Sequence, residues 1–108
     1  MSFELIATPS FRKDIKKLGK KYPSLKVDLG ELFESLKSNP IQGTPLGNHC
    51  YKIRLAISSK GKGKSGGARV VTYLHITEST IYLLTVFDKS DQENIPNADL
   101  KRLLDQIQ

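Results

Sequence analysis

An α+β fold with an antiparallel sheet is predicted by the order in which the residue patterns change along the chain. Helical periodicity occupies residues 9–38, period-two alternation begins near residue 50, and one amphipathic helix closes the chain. Helices grouped ahead of strands, rather than alternating with them, indicate strands that pair as hairpins. The predicted order is β-α-α-β-β-β-α: an N-terminal strand and a two-helix hairpin packed on the sheet. The 108 residues form a single domain by length.

Residues 2–7, SFELIA, read as a short edge strand. Thr8 and Pro9 then give a helix start, a hydroxyl cap followed by proline where its missing N–H costs nothing. Phe11, Ile15, Leu18 and Tyr22 recur at helical spacing, with Arg12, Lys13, Lys16, Lys17, Lys20 and Lys21 opposite them. Pro23 interrupts the pattern. A second helix follows with Leu25, Leu29, Leu32, Phe33 and Leu36 as its stripe, and Asn39-Pro40 stops it. Residues 40–48 have no period and read as a loop. Strands are predicted at 50–57, 68–76 and 80–87. The last, TIYLLTVF, is apolar on both faces, as a strand covered on both sides would be. Residues 88–97 form a polar linker, and Asn97 caps a helix whose Leu100, Leu103, Leu104 and Ile107 share one face.

The chain carries 17 Lys and Arg against 11 Asp and Glu, a net charge of +6. Such an excess favours a polyanionic or acidic partner and says nothing about fold. Cys50 is the lone cysteine, so no internal disulfide is expected; it reads as a buried strand-end thiol. The N-terminus has no basic segment followed by an apolar one, and no apolar run approaches the ~20 residues that span a bilayer. The expectation is a cytoplasmic protein with no membrane association. His49 and His75 are the only histidines, and no His/Cys/carboxylate spacing suggests zinc.

The chemistry concentrates between residues 51 and 76. Two strands flank a loop with Lys60, Lys62 and Lys64 spaced by Gly61, Gly63, Gly66 and Gly67. Gly63-Lys64-Ser65 resembles the end of a phosphate-binding P-loop. Position 58 is Ser rather than the required glycine, however, and a strand follows instead of a helix. A solvated hairpin tip would account for the lysines alone. Arg54 and Arg69 lie inside the strands, on the side away from Ile53, Leu55, Val70 and Leu74. Two guanidinium groups that close repel one another unless an anion lies between them, and the planar fork of arginine suits phosphate. Lys89 reaches the same end of the sheet if the third strand neighbours the second. A cationic site of this kind fits RNA, whose 2′-OH supplies the nucleophile and leaves the protein to position and stabilise charge.

Tyr51-Lys52-Ile53-Arg54, then Gly63-Lys64-Ser65-Gly66-Gly67-Ala68-Arg69-Val70-Val71, then Val86-Phe87-Asp88-Lys89-Ser90 and Leu100-Lys101-Arg102-Leu103-Leu104 resemble the RelE/ParE toxin superfamily. The glycine–lysine loop is most similar to its HigB-like branch. The resemblance spans nearly the whole chain and is strongest over residues 51–90. It implies the toxin of a type II toxin–antitoxin pair. RelE- and HigB-like members cut mRNA in the ribosomal A site without metal or other cofactor, leaving a cyclic or 3′-phosphate and a 5′-OH. The implied partners are the ribosome, mRNA and a cognate antitoxin, often with a DNA-binding helix-turn-helix.

By the same resemblance, Arg54 and Arg69 hold the scissile phosphate and Lys89 acts as general acid or stabilises the leaving group. Lys52, Lys60, Lys62 and Lys64 contact RNA backbone. Ile95 stands where some members place a tyrosine, which leaves proton transfer unassigned. His75 and Tyr73 share the predicted Arg69 face and are candidates for it, with His75 otherwise a half-exposed strand residue. Two other readings stay open: a ParE-like inhibitor of DNA gyrase, and an RNA-binding domain without chemistry.

Overall fold

A computed structural model describes residues 2–107. Strand β1 (Glu4–Ala7) leads into α1 (Pro9–Lys21) and α2 (Leu25–Ser38). Next come β2 (Thr44–Gly47), β3 (Cys50–Leu55), a 3₁₀ turn at Ser58–Lys60 and the short helical turn α3 (Gly63–Gly66). Strands β4 (Ala68–His75) and β5 (Thr80–Asp88) precede α4 (Asn97–Asp105). The strands form one sheet in the order β1-β5-β4-β3-β2.

The expected sequence of elements stands, with three differences, the first being the 3₁₀ turn and α3 in the connection expected to be a plain loop. The sheet is mixed: β2 to β5 are antiparallel neighbours, but β1 runs parallel to β5 along the edge. The loop expected at 40–48 also contributes β2. Its Pro45 pairs with Tyr51 on an outer strand, where a missing N–H is tolerated. Close approach explains Gly43: a Cβ there would lie 2.3 Å from the Lys52 carbonyl oxygen, and its φ of +91° suits glycine.

Local chemistry sets the helix starts. The Thr8 side chain accepts from the Phe11 amide at 3.3 Å and donates to the Leu83 carbonyl at 2.9 Å, capping α1 and tying it to β5. Asn97 is the first residue of α4, and Pro96 takes the cap position.

The sheet is covered on both faces. Phe11 and Leu18 of α1, with Leu25, Leu29, Leu32 and Leu36 of α2, pack against Ile53, Leu55, Val70, Leu74, Ile81, Leu83 and Val86. On the opposite face Leu100, Leu103 and Leu104 of α4 cover Cys50, Val71 and Leu84. In β5 the inward residues change parity between Leu83 and Val86. A bulge explains this, since Val71 pairs with Thr85 and Thr72 with Leu83, leaving Leu84 unopposed. Cys50 is buried as expected, and burial pushes its thiol up to about 11.

Candidate active site and nucleic-acid interface

Basic residues gather at the end of the sheet where β3 leaves for residues 56–67. Arg54 and Arg69 are register partners, so their side chains leave the same face side by side. Lys52 is two positions earlier on that face. Because β5 does neighbour β4, Asp88 pairs with Ala68, and the Lys89 amide donates to the Gly67 carbonyl at 3.0 Å. Lys89 therefore lies at the Arg69 end, as the sequence suggested.

The connection is bonded along its length and is not a free hairpin tip. Asp28 of α2 accepts from the Ser58 amide at 2.9 Å and from its hydroxyl at 2.7 Å, while the Ser59 amide donates to Ser24 Oγ at 2.8 Å. Burial alone would raise the Asp28 carboxyl, but these bonds and one from Ser24 outweigh it and hold the group below its ordinary value. Gly67 is required where the connection re-enters the sheet: a Cβ there would sit 2.0 Å from the Leu55 carbonyl oxygen.

One of the expected RNA-facing cations, Lys60, is turned inward. Lys60 is 8% exposed in its side chain and donates to Asp88 Oδ1 at 2.6 Å and Ser90 Oγ at 2.8 Å. Asp88 is fully buried and also accepts from the Tyr22 hydroxyl at 2.5 Å and the Ser90 amide at 2.9 Å. Its burial opposes ionisation, and the bonds from Lys60, Tyr22 and Ser90 overcome that, so the carboxyl lies well below the usual aspartate range. Lys60 thus closes a buried pair rather than presenting a charge to RNA, whereas Lys62 and Lys64 remain exposed.

Arg69 is only 2% exposed. Its Nη1 donates to the carbonyls of Lys64 and Ala68, both at 3.0 Å, and its Nη2 to the carbonyl of Ser65 at 3.2 Å. The guanidinium therefore caps the free carbonyls at the end of α3. Arg54 is exposed, just beyond the last residue that β2 covers. The two arginines share a face and a register, but they do not converge as equals on an open pocket, because one is held by the loop's own backbone.

One anion already stands there. Glu93 Oε2 is 3.8 Å from Arg69 Nη2 and 3.9 Å from Lys89 Nζ. Lys52 holds the same segment, donating to Asn94 Oδ1 at 2.5 Å and to the Glu93 carbonyl at 3.4 Å. Glu93 was not legible from sequence: four residues from Lys89 in a non-helical linker defines no shared face.

Tyr73 and His75 do not reach this site. They share the Arg69 face, but four and six residues along a strand place them about 13 and 20 Å away. They lie instead at the opposite end of β4, with Tyr73 stacked on Tyr82 at 6.0 Å and His75 Nε2 at 3.9 Å from Glu78. Ile95, in the place of the tyrosine, packs into the apolar cluster under α4.

Comparison with known proteins gives a consistent answer. A family model described as the RelE toxin of the RelE/RelB toxin–antitoxin system matches residues 11–106. A free-state mutant of the E. coli toxin RelE superposes with a TM-score of 0.65 at 19% identity, covering 100% of both chains. A chain of the RelBE2 toxin–antitoxin complex from Mycobacterium tuberculosis gives 0.61 at 18% identity, over 82% of this chain and 99% of that one. The isolated E. coli RelE toxin gives 0.50 at 22% identity, over 99% and 100%. At these identities the likeness concerns fold. The matching description names RelE and does not separate out the HigB-like branch.

Proposed function

The chain belongs to the RelE toxin family, and from that premise we propose that it is a metal-independent endoribonuclease that cuts mRNA on the ribosome and so blocks translation. One observation carries this reading. A carboxylate of the chain itself, that of Glu93, stands between Arg69 and Lys89, where a phosphodiester would be held. Both terminal nitrogens of Arg69 are bonded to loop carbonyls, so its fork is fixed before any substrate arrives. A donor fixed in advance loses less on binding and stabilises developing charge without reorganising.

In this reading Arg54, beside Arg69 and open to solvent, takes a second phosphate oxygen. Lys89 neutralises or protonates the leaving 5′ oxygen. Lys52, Lys62 and Lys64 guide the RNA backbone along the rim. The 2′-OH of the substrate attacks the adjacent phosphorus, which gives a cyclic phosphate and a 5′-OH. The protein acts in the cytoplasm and is silenced by a cognate antitoxin. An antitoxin accompanies RelE-type proteins in the M. tuberculosis complex noted above.

Mapping transcript 5′ ends after induction tests the proposal. New 5′-OH ends within translated regions, absent when ribosomes are withheld, are expected, and Arg54→Ala and Lys89→Ala should abolish them in a folded protein. Growth arrest with intact transcripts and blocked DNA supercoiling would replace this reading with gyrase inhibition. Ribosome binding without new ends would leave a binding module.

A further inference from the structure

The reaction proposed above needs a group to accept the proton of the attacking 2′-OH. We propose that this group is Glu93; the inference rests on the nuclease reading and assigns the one role that reading leaves empty. Among the described residues, Glu93 supplies the carboxylate within 4 Å of both Arg69 and Lys89. The other candidates are each disqualified by position. Asp88 is buried and closed by Lys60, Tyr22 and Ser90. Asp91 lines the groove between α1 and α4 with Asp14 and Asp99. His75 is at the far end of β4, and His49 lies in the β2–β3 turn beside it.

The placement also suits the chemistry. A phosphodiester that seats on Arg69 and Lys89 displaces the Glu93 oxygen from the two cations. It does not remove the residue from the site, because Lys52 holds the Glu93 carbonyl and the Asn94 side chain. The half-exposed carboxylate is then left beside the sugar whose 3′-phosphate is gripped. A base needs only hydrogen-bond reach of the proton it takes, and apo contacts of this kind tighten on substrate binding.

The step balances as follows. The Glu93 carboxylate takes the 2′-OH proton, O2′ bonds to phosphorus, the P–O5′ bond breaks, and the leaving oxygen takes a proton from the Lys89 ammonium. The products are a 2′,3′-cyclic phosphate and a 5′-OH, and exchange with water returns the proton from Glu93 to Lys89.

Glu93→Gln keeps the size of the side chain and removes the acceptor. With ribosomes programmed with a defined mRNA, single-turnover cleavage should fall by at least about a hundredfold, the lower range for a positioned base. Binding of the same ribosomes carrying mRNA with a 2′-deoxy residue at the cut site should be unchanged or tighter, because a negative charge has left a cationic pocket. Glu93→Ala should recover part of the rate with added formate, which a merely structural role would not allow. Cleavage by Glu93→Gln within threefold of wild type, or faster, overturns the assignment while leaving the nuclease reading intact. A wild-type protein that cuts no RNA overturns both.

Discussion

Two regions of this molecule are rich in positive charge and put it to opposite uses. Along α1, Arg12, Lys13, Lys16, Lys17 and Lys20 are exposed, and among the described residues the ion pair made by this helix joins Lys21 to Asp88 of β5 at 3.7 Å. Between residues 58 and 69, Lys60 and Arg69 are almost entirely buried, one on a carboxylate and the other on backbone carbonyls. The first set can be lost with little effect on the fold, while the second is part of it. Density of lysine in a sequence does not distinguish the two cases; the partners do.

The sharpest way to break that comparison is to remove a partner. Asp88→Asn leaves Lys60 buried without its counter-charge and weakens the bond from Tyr22. Breaking a buried pair from one side typically costs about 3–5 kcal/mol. The same measurement on Lys16→Ala should stay within about 0.5 kcal/mol, as surface substitutions do. Urea unfolding of both variants checks this, and equal costs would mean that the buried pair contributes no more than a surface charge.

Gly67→Ala comes next. It pushes a methyl group to 2.0 Å from the Leu55 carbonyl oxygen, a backbone atom in the β3–β4 ladder that cannot rotate away. Overpacking of this type costs about 1–3 kcal/mol. The loss should appear in thermal unfolding together with reduced amide protection at the start of β4. A glycine placed only for loop flexibility would tolerate alanine.

How much of this was legible beforehand follows from how local each feature is. The Thr8–Pro9 start and the Phe11, Ile15, Leu18 stripe need only a few neighbouring residues, and each is where the pattern put it. Strand β2 was missed because Thr44–Gly47 contains a proline and a glycine and becomes a strand only beside the free edge of β3. The parallel pairing of β1 with β5 joins residues more than seventy positions apart. In the site, the shared face of Arg54 and Arg69 follows from alternation along two paired strands, while their direct pairing is set by the register of β3 on β4. That Lys60 but not Lys62 turns inward depends on Asp88, 28 residues further on. Tyr73 and His75 show the reverse: alternation gives them the Arg69 face, and the rise along the strand separates them from the Arg69 end.

Acid should weaken the bonded region before the basic helix. The Asp88 and Asp28 carboxyls are both held below their ordinary value in the fold. The unfolded chain therefore binds more protons than the native one once pH drops below about 3.9, the ordinary aspartate value. The stability these groups contribute is fully present above that value and is lost as pH falls from there through their lower native values. Replacing Asp88 should flatten this acid limb of stability against pH, and replacing Lys16 should leave it unchanged. An identical limb in both variants would assign the acid sensitivity elsewhere.

The smallest effect should come from α1, and it concerns affinity rather than stability. Each cation that neutralises a phosphate releases condensed counterions, so its loss flattens the dependence of binding on salt by slightly less than one unit of slope. Lys16→Ala with Lys20→Ala removes two exposed charges from adjacent turns without touching the Arg69 end of the sheet. If the helix lies along ribosomal RNA, ribosome binding by the double variant should weaken, and its log–log salt slope should fall by about 1–2. The Glu93→Gln variant should keep the wild-type slope in the same titration, because Glu93 contributes no cation. An unchanged slope for the double variant would make the α1 lysines a solvated face, and would confine nucleic-acid contact to the end of the sheet where Arg54, Arg69 and Lys89 meet.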